Sequence, residues 1–227
     1  MGIEVSVVRV FTDENGKHGN PLGIVDASTV AESDRQAVAK ELDYSETIFI
    51  DVPDDGASRA RVQIFTPAAE LPPFAGHPTV GATWWLGEQG RRVSALDVPA
   101  GSVDVRQSGA LTWVRARAEW APEFAIYPMD TVDDVIDADP SDYEADHSYL
   151  WAWQDKLEAA IRARMFAPVM GIAEDEATGS AALRITDRLR KSLLITQGRG
   201  SVLHTTFSPE GWLEVGGRVV AEPSRTL

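Results

Sequence analysis

Three side chains stand where proton-transfer chemistry is feasible, each at the opening of a predicted element: Glu46, His77 and Asp175. Glu46 lies at a loop-to-strand junction, just ahead of the apolar run Thr47 to Val52 (TIFIDV). Burial there would raise its pKa toward neutrality and make it a general base. The alternative is an ordinary edge glutamate, since Glu is mostly exposed. His77 immediately precedes Pro78 at the start of a predicted apolar helix. A neutral imidazole in that place can donate or accept a proton, and the helix dipole is expected to lower its pKa. Otherwise it packs the loop or caps the helix. Asp175 lies just before a second helix, where a carboxylate also gives favourable N-terminal charge placement. Glu174, Asp175 and Glu176 run together, and spacing does not rank them.

Two helix openings of one design must position these groups. Ile64 to Leu86, IFTPAAELPPFAGHPTVGATWWL, reads as a strand end, a proline-rich loop, then a helix opened by His77-Pro78. Pro costs no hydrogen bond at the first helical position. Val80, Ala82, Trp84, Trp85 and Leu86 make this helix apolar nearly all round, so it is expected to be buried. Its free N–H groups would then point into the interior or a cleft, which suits an anion. Glu174 to Arg190, EDEATGSAALRITDRLR, is an acidic loop, a Thr-Gly-Ser turn and a helix from near Gly179, with Thr178 as N-cap. Two such openings, one in each half, hint at a duplicated architecture with a site between the halves.

Strands dominate the remainder. They are expected over 5–12, 23–25, 47–52 and 59–66, twice across 92–106, and over 111–117, 192–196, 201–206 and 212–220. Gly19-Asn20-Pro21-Leu22 reads as a tight loop. Asp34 to Leu42 reads as a helix, with Ser33 and Gln36 at capping-box spacing. Glu119 to Trp153 is interrupted by Pro122, Pro128 and Pro140 and carries ten Asp/Glu, so it reads as short strands or turns, then loop, with a solvated acidic face. Lys156 to Met165 fits a short helix or a strand.

Composition removes several function classes. A chain of 227 residues with 44% apolar and 25% charged residues can bury a core as one large domain or two small ones. The net charge of −14, with no Lys/Arg-rich run, disfavours nucleic acid and anionic membranes as partners. Cysteine is absent, which excludes disulfides, thiolate metal sites and cysteine nucleophiles. His18, His77, His147 and His204 are scattered without HxH or HExxH spacing, so no metal is expected. No GxSxG suggests a serine hydrolase, and neither GxGxxG nor GxxxxGK[ST] suggests a nucleotide fold. Met1 to Val10 does not read as a signal peptide, and no apolar run approaches the ~18 residues of a membrane span, so a cytoplasmic location is expected.

Five stretches point further: VFTDENGKHGNPLGIV (Val10 to Val25), LDYSETIFI (Leu42 to Ile50), IFTPAAELPPFAGHPTVGA (Ile64 to Ala82), RARMFAPVMGIAEDEATGSAA (Arg162 to Ala182) and ITQGRGS (Ile195 to Ser201). Together, and in this order, they resemble the PhzF-like proteins of the phenazine-biosynthesis isomerase family, relatives of diaminopimelate epimerase. The resemblance implies an α+β fold of two pseudo-symmetric halves, each a curled, mostly antiparallel sheet around a central helix. The halves would be 1–117 and 118–227, with the last strand packing on the first half. It implies a homodimer needing no cofactor and no metal. Glu46 would shuttle a proton on a small carboxylate substrate, with His77 and Asp175 completing the catalytic set. Ser45, Gly76, Thr178, Gly179 and Ser180 would hold the substrate carboxylate.

The epimerase relatives use two cysteines at these helix openings, so a two-cysteine mechanism is excluded here. Departures from the family pattern are a shortened Glu119 to Gln154 region, the extra charge of Glu176, and a shorter loop after Gln197-Gly198. The expected activity is a PhzF-like isomerase of a carboxylate of dihydro-hydroxyanthranilate type. A non-catalytic carboxylate-binding paralogue and an amino-acid racemase or epimerase are the alternatives.

Overall fold

Val5, Val7, Val8 and Val10 are all buried along Glu4–Thr12 (β1), as happens when a strand is covered on both faces. The computed structural model describes residues 2–68, 74–170 and 172–227, so part of the predicted proline-rich loop (69–73) lies outside the described residues. From β1 the chain passes to Asn20–Asp26 (β2), Arg35–Leu42 (α1), Thr47–Asp51 (β3), Arg59–Phe65 (β4), Gly76–Glu88 (α2), Ala95–Val98 (β5), Gly101–Ser108 (β6) and Leu111–Ala116 (β7). It continues through Ala125–Pro128 (β8), Val132–Asp137 (α3), Ser148–Asp155 (β9), Ala160–Ala167 (β10), Ile172–Asp175 (β11), Gly179–Leu189 (α4), Leu194–Gln197 (β12), Ser201–Phe207 (β13) and Leu213–Thr226 (β14).

These strands form one sheet, ordered β1-β2-β3-β4-β5-β6-β7-β14-β13-β12-β10-β9-β8, with β11 beside β10. β14 also pairs with β1, so β1 to β7 and β14 close into a ring. Inside the ring α2 packs on β1, β2, β3, β6, β7 and β14, while α4 lies on β13, β14 and a 3-10 turn at Ala118–Trp120. The connections repeat. α1 joins the parallel pair β2/β3, β4 follows antiparallel, α2 leads to the parallel pair β4/β5, and β6 and β7 return antiparallel. Likewise α3 joins the parallel pair β8/β9, β10 follows antiparallel, α4 leads to the parallel pair β10/β12, and β13 and β14 return antiparallel. This is the expected α+β architecture of curled, mostly antiparallel sheet around two central helices.

α2 is buried as its composition requires. Its buried hydroxyls are satisfied within the helix: Thr79 Oγ1 donates to the Ala75 carbonyl at 2.6 Å and Thr83 Oγ1 to that of Thr79 at 2.8 Å. Gly81 lets the helix approach the sheet, because a Cβ there would sit 2.5 Å from Leu22 Cδ2 and 2.9 Å from Val10 Cγ2. Pro78 is the third helical residue rather than the first, still among positions whose N–H has no helical partner.

Other local expectations are corrected. Ser33 and Gln36 form no capping box: Ser33 sits in a 3-10 turn at Glu32–Asp34, and Asp34 caps α1 in helical conformation without a side-chain bond. Gln36 instead donates to the Thr66 and Pro67 carbonyls, tying α1 to the end of β4. Asn20-Pro21-Leu22 belongs to β2, paired with β1 through Val10 and Asn20, rather than to a loop. The stretch expected to be largely irregular holds α3, capped by a Thr131/Asp134 box, and the buried strand β9. Lys156 to Met165 is a turn followed by the start of β10. Among the described residues no helix is long and apolar enough to cross a membrane.

Candidate active site

The sequence Ala75-Gly76-His77-Pro78 places a glycine at the first turn of α2, and Thr178-Gly179-Ser180 does the same for α4. The two helix openings meet there. A Cβ on Gly76 would lie 3.0 Å from both Cα and C of Gly179, and one on Gly179 would lie 3.0 Å from Cα of Gly76. Backbone against backbone at this spacing favours glycine at both positions, since any Cβ would force the opposing backbone to give by a few tenths of an ångström. Neither N-terminus has a side-chain cap, so free N–H groups and two positive dipole ends converge.

Glu46 stands immediately before β3, and its Oε2 lies 3.0 Å from Nδ1 of the buried His77. Burial, the largest influence on Glu46, pushes its pKa up, but the charge of His77 and the adjacent Ser45 hydroxyl bring it below the ordinary 4.5. For His77 burial again dominates and lowers the pKa. Glu46, then Asp175 and the Pro21 backbone, raise it above the ordinary 6.5. Each partner thus favours the charged form of the other. This corrects two expectations, a Glu46 raised by burial and a His77 lowered by the dipole: mutual attraction across 3.0 Å outweighs both. The contact is an ion-pair distance rather than an aligned hydrogen bond. Glu46 Oε2, His77 Nε2 and Ser45 Oγ are buried without an aligned partner.

Asp175 closes β11 and is the carboxyl whose pKa is raised. Burial and then the Glu46 charge push it up to about 6, against the opposing bonds from Thr178 and Asn20. Asn20 Nδ2 donates to its Oδ1 at 2.6 Å, and Thr178 Oγ1 donates to its Oδ2 at 2.6 Å. Thr178 is thus the N-cap by position only. Its hydroxyl serves Asp175 and accepts from Gln197 Nε2 at 2.8 Å, leaving the helix N–H groups uncapped. Gln197 Nε2 also donates to the Asp175 carbonyl at 3.0 Å.

The flanking acids divide the bracing. Glu174 takes both Nε and Nη2 of Arg164, at 2.9 and 2.7 Å, and Arg164 Nη1 donates to the Ile136 and Ala138 carbonyls at the end of α3. Glu176 accepts from Arg199 N at 3.0 Å and from Ser201 Oγ at 2.8 Å, and Ser201 Oγ accepts from Gly19 N at 2.9 Å. The extra charge of Glu176 is a tie between three loops.

A pocket of about 310 Å³ opens here. Ser45, Glu46, Asp175, Thr178 and Ser180 make its polar end; Phe74, Pro122, Phe124, Met165, Ala167 and Ile172 make an apolar wall. The structure thus gathers the expected residues: five line the cavity, His77 backs Glu46, and Gly76 and Gly179 form the helix contact. Sequence reasoning missed Asn20 and Gln197 as partners of the site. Both are polar residues at 5% and 0% exposure, an anomaly that only burial reveals. It also missed His147, which lines the pocket and carries no spacing signal.

Comparison with known proteins follows the same lines. The model of the PhzC-PhzF family, described as phenazine biosynthesis-like protein, matches residues 8–120. An uncharacterized isomerase of Mesorhizobium japonicum is 42% identical over 99 residues, a match spanning 41% of this chain and 32% of that relative. The trans-2,3-dihydro-3-hydroxyanthranilate isomerase of Pseudomonas fluorescens is 31% identical over 202 residues, covering 72% of each chain. A putative phenazine biosynthesis PhzC/PhzF protein from Clostridium difficile superposes with a TM-score of 0.79 over 99% of both chains at 19% identity, a likeness of fold. On this agreement of sequence and architecture, the chain belongs to the PhzC-PhzF family of phenazine biosynthesis-like proteins.

Proposed function

We propose that the protein is an isomerase that moves a proton on a small carboxylate substrate, with Glu46 as acid/base and no group beyond its own side chains. The observation that carries this reading is the meeting of two uncapped helix N-termini at the polar end of a pocket, beside Glu46 with His77 at 3.0 Å from its carboxylate. The substrate carboxylate sits against those N–H groups, helped by the hydroxyls of Ser45 and Ser180, while Thr178, its proton given to Asp175, lines the pocket beside them. Glu46, kept ionised by His77, takes a proton from substrate carbon, and the negative charge that builds is stabilised by the helix ends. The same proton is returned at another position, so substrate and enzyme end in balance. Asp175, with its raised pKa, tunes the charge of the pair. The curated relatives' name makes trans-2,3-dihydro-3-hydroxyanthranilate the first substrate to test. Division at 117/118, a homodimer and a cytoplasmic location belong to the same proposal; sedimentation at two concentrations tests the dimer.

Proton NMR in D₂O, with trans-2,3-dihydro-3-hydroxyanthranilate and common amino acids, follows both product and deuterium uptake. Turnover by wild type is expected to fall about 10²- to 10⁴-fold in Glu46→Gln, the range of general acid/base contributions. Unchanged turnover in that variant would remove Glu46 from the chemistry. Binding without turnover in either form would indicate a carboxylate-binding paralogue, and inverted stereochemistry an epimerase.

A further inference from the structure

The repeated connectivity pairs residues across the two halves. β3 starts its parallel pairing with β2 at Thr47, opposite Gly23, and Glu46 is the residue immediately before it. β9 starts its parallel pairing with β8 at Ser148, opposite Ala125, and His147 is the residue immediately before it. His147 therefore occupies in the second half the place Glu46 occupies in the first, and both line the same pocket. The symmetry is broken in chemistry. The second residue of α2 is His77, which pairs with Glu46; the second residue of α4 is Ser180, which offers His147 no counter-charge.

His147 is held firmly. Its carbonyl accepts from Ala125 N at 2.9 Å, and its ring lies 5.2 Å from that of Phe124, which occupies the place of Leu22 in the first half. Burial keeps the imidazole below its usual 6.5 in spite of Asp146, so near pH 7 the ring is neutral, with one donor and one acceptor nitrogen. Among the described residues neither nitrogen has a hydrogen-bond partner. A single half-buried polar group without a partner, set in an otherwise apolar wall, is the arrangement that fixes a ligand's orientation.

We infer that His147 is the second half's counterpart of Glu46 and hydrogen-bonds a polar substituent, a hydroxyl or amino group, on the body of the carboxylate substrate. This rests on the pocket being a carboxylate site. Within it the first half handles the proton and the second half reads the substituent. No proton transfer is assigned to His147, because a neutral imidazole and an ionised Glu46 would both be bases.

The test uses inert flat carboxylates as probes: benzoate and its 2-, 3- and 4-hydroxy derivatives, titrated calorimetrically at about pH 7 into wild type, His147→Phe, His147→Asn and Glu46→Gln. At least one hydroxybenzoate is expected to bind wild type about fivefold tighter than benzoate, the ratio one hydrogen bond supplies. His147→Phe should erase that preference while leaving benzoate affinity within about twofold, since the ring volume and the Phe124 contact are kept. His147→Asn should restore part of it, and Glu46→Gln should keep it. A preference that survives in His147→Phe overturns the inference while leaving the carboxylate site standing, as does equal binding of all four probes by wild type. Failure of every probe to bind overturns both.

Discussion

Glu46, His77 and Asp175 form one titrating unit, and its pH dependence has a definite sign at each residue. Glu46 has a lowered pKa, so its contribution to stability is present above 4.5 and is lost as pH falls through its folded value. His77 has a raised pKa, so its contribution is full below 6.5 and is lost as pH climbs through its folded value. Asp175 is the opposite of Glu46. Raised from 3.8 to about 6, it binds its proton more tightly folded than unfolded, and stability declines as pH rises across that window. Melting curves for wild type and Asp175→Asn between about pH 4 and 7 should therefore show the wild type losing ground to the variant as pH rises. A difference that does not change with pH would mean Asp175 titrates normally. In His77→Gln, Glu46 loses its counter-charge while remaining buried, so its pKa should rise and the acid limb of kcat/KM should move up by about one unit or more. An unmoved limb would separate His77 from Glu46 ionisation. The identities of these three residues were legible in the sequence, but their charge states were not. A pKa depends on which partner faces the group in space, and nothing in the one-dimensional order says that residue 46 meets residue 77.

The two central helices were legible as elements for a related reason. An apolar helix after a Gly-His-Pro opening and a helix after Thr-Gly-Ser have local signatures. α3 and β9 had none that pattern reading catches. α3 has six residues, too few for a helical period, and Ser148, Tyr149, Leu150, Trp151 and Ala152 of β9 are all buried, which erases the alternation of a half-exposed strand. Thr178 illustrates a different limit: an N-cap signature was present, but the hydroxyl was claimed by Asp175 and Gln197. At this scale the contact between Gly76 and Gly179 is the critical feature. Gly179→Ala sets a methyl 3.0 Å from opposing backbone, so the helix ends must part. A loss of about 1–3 kcal/mol in stability is expected from such overpacking, together with weakened benzoate binding; unchanged melting and affinity would show that the openings have slack. The capping box of α3 offers a contrasting change outside the pocket lining. Thr131→Ala should cost about 1 kcal/mol in denaturant unfolding and leave turnover untouched.

Across the whole molecule, the repeat of helix-joined parallel pairs makes one half a variation on the other. The chemistry then lies in where the two differ: Glu46 facing His77 in one, His147 and Ser180 at the corresponding places in the other. Duplication was hinted at by the two helix openings, while the closure of the ring was not, because β14 extends well beyond the strand its sequence suggested. Leu213–Gly217 pairs with β7, while Arg218–Thr226 pairs with β1 from Thr12 to Glu4. That long-range seam governs the timing of folding. The seam joins Thr12 to Arg218 and Glu4 to Thr226, so the first half keeps strand edges open at β1 and β7 until β14 is in place. Loops of that length close slowly, and unguarded edges pair with whatever strand arrives first. Refolding from denaturant should accordingly be slow when dilute. When concentrated it should yield oligomers in which one molecule's β14 completes another's ring.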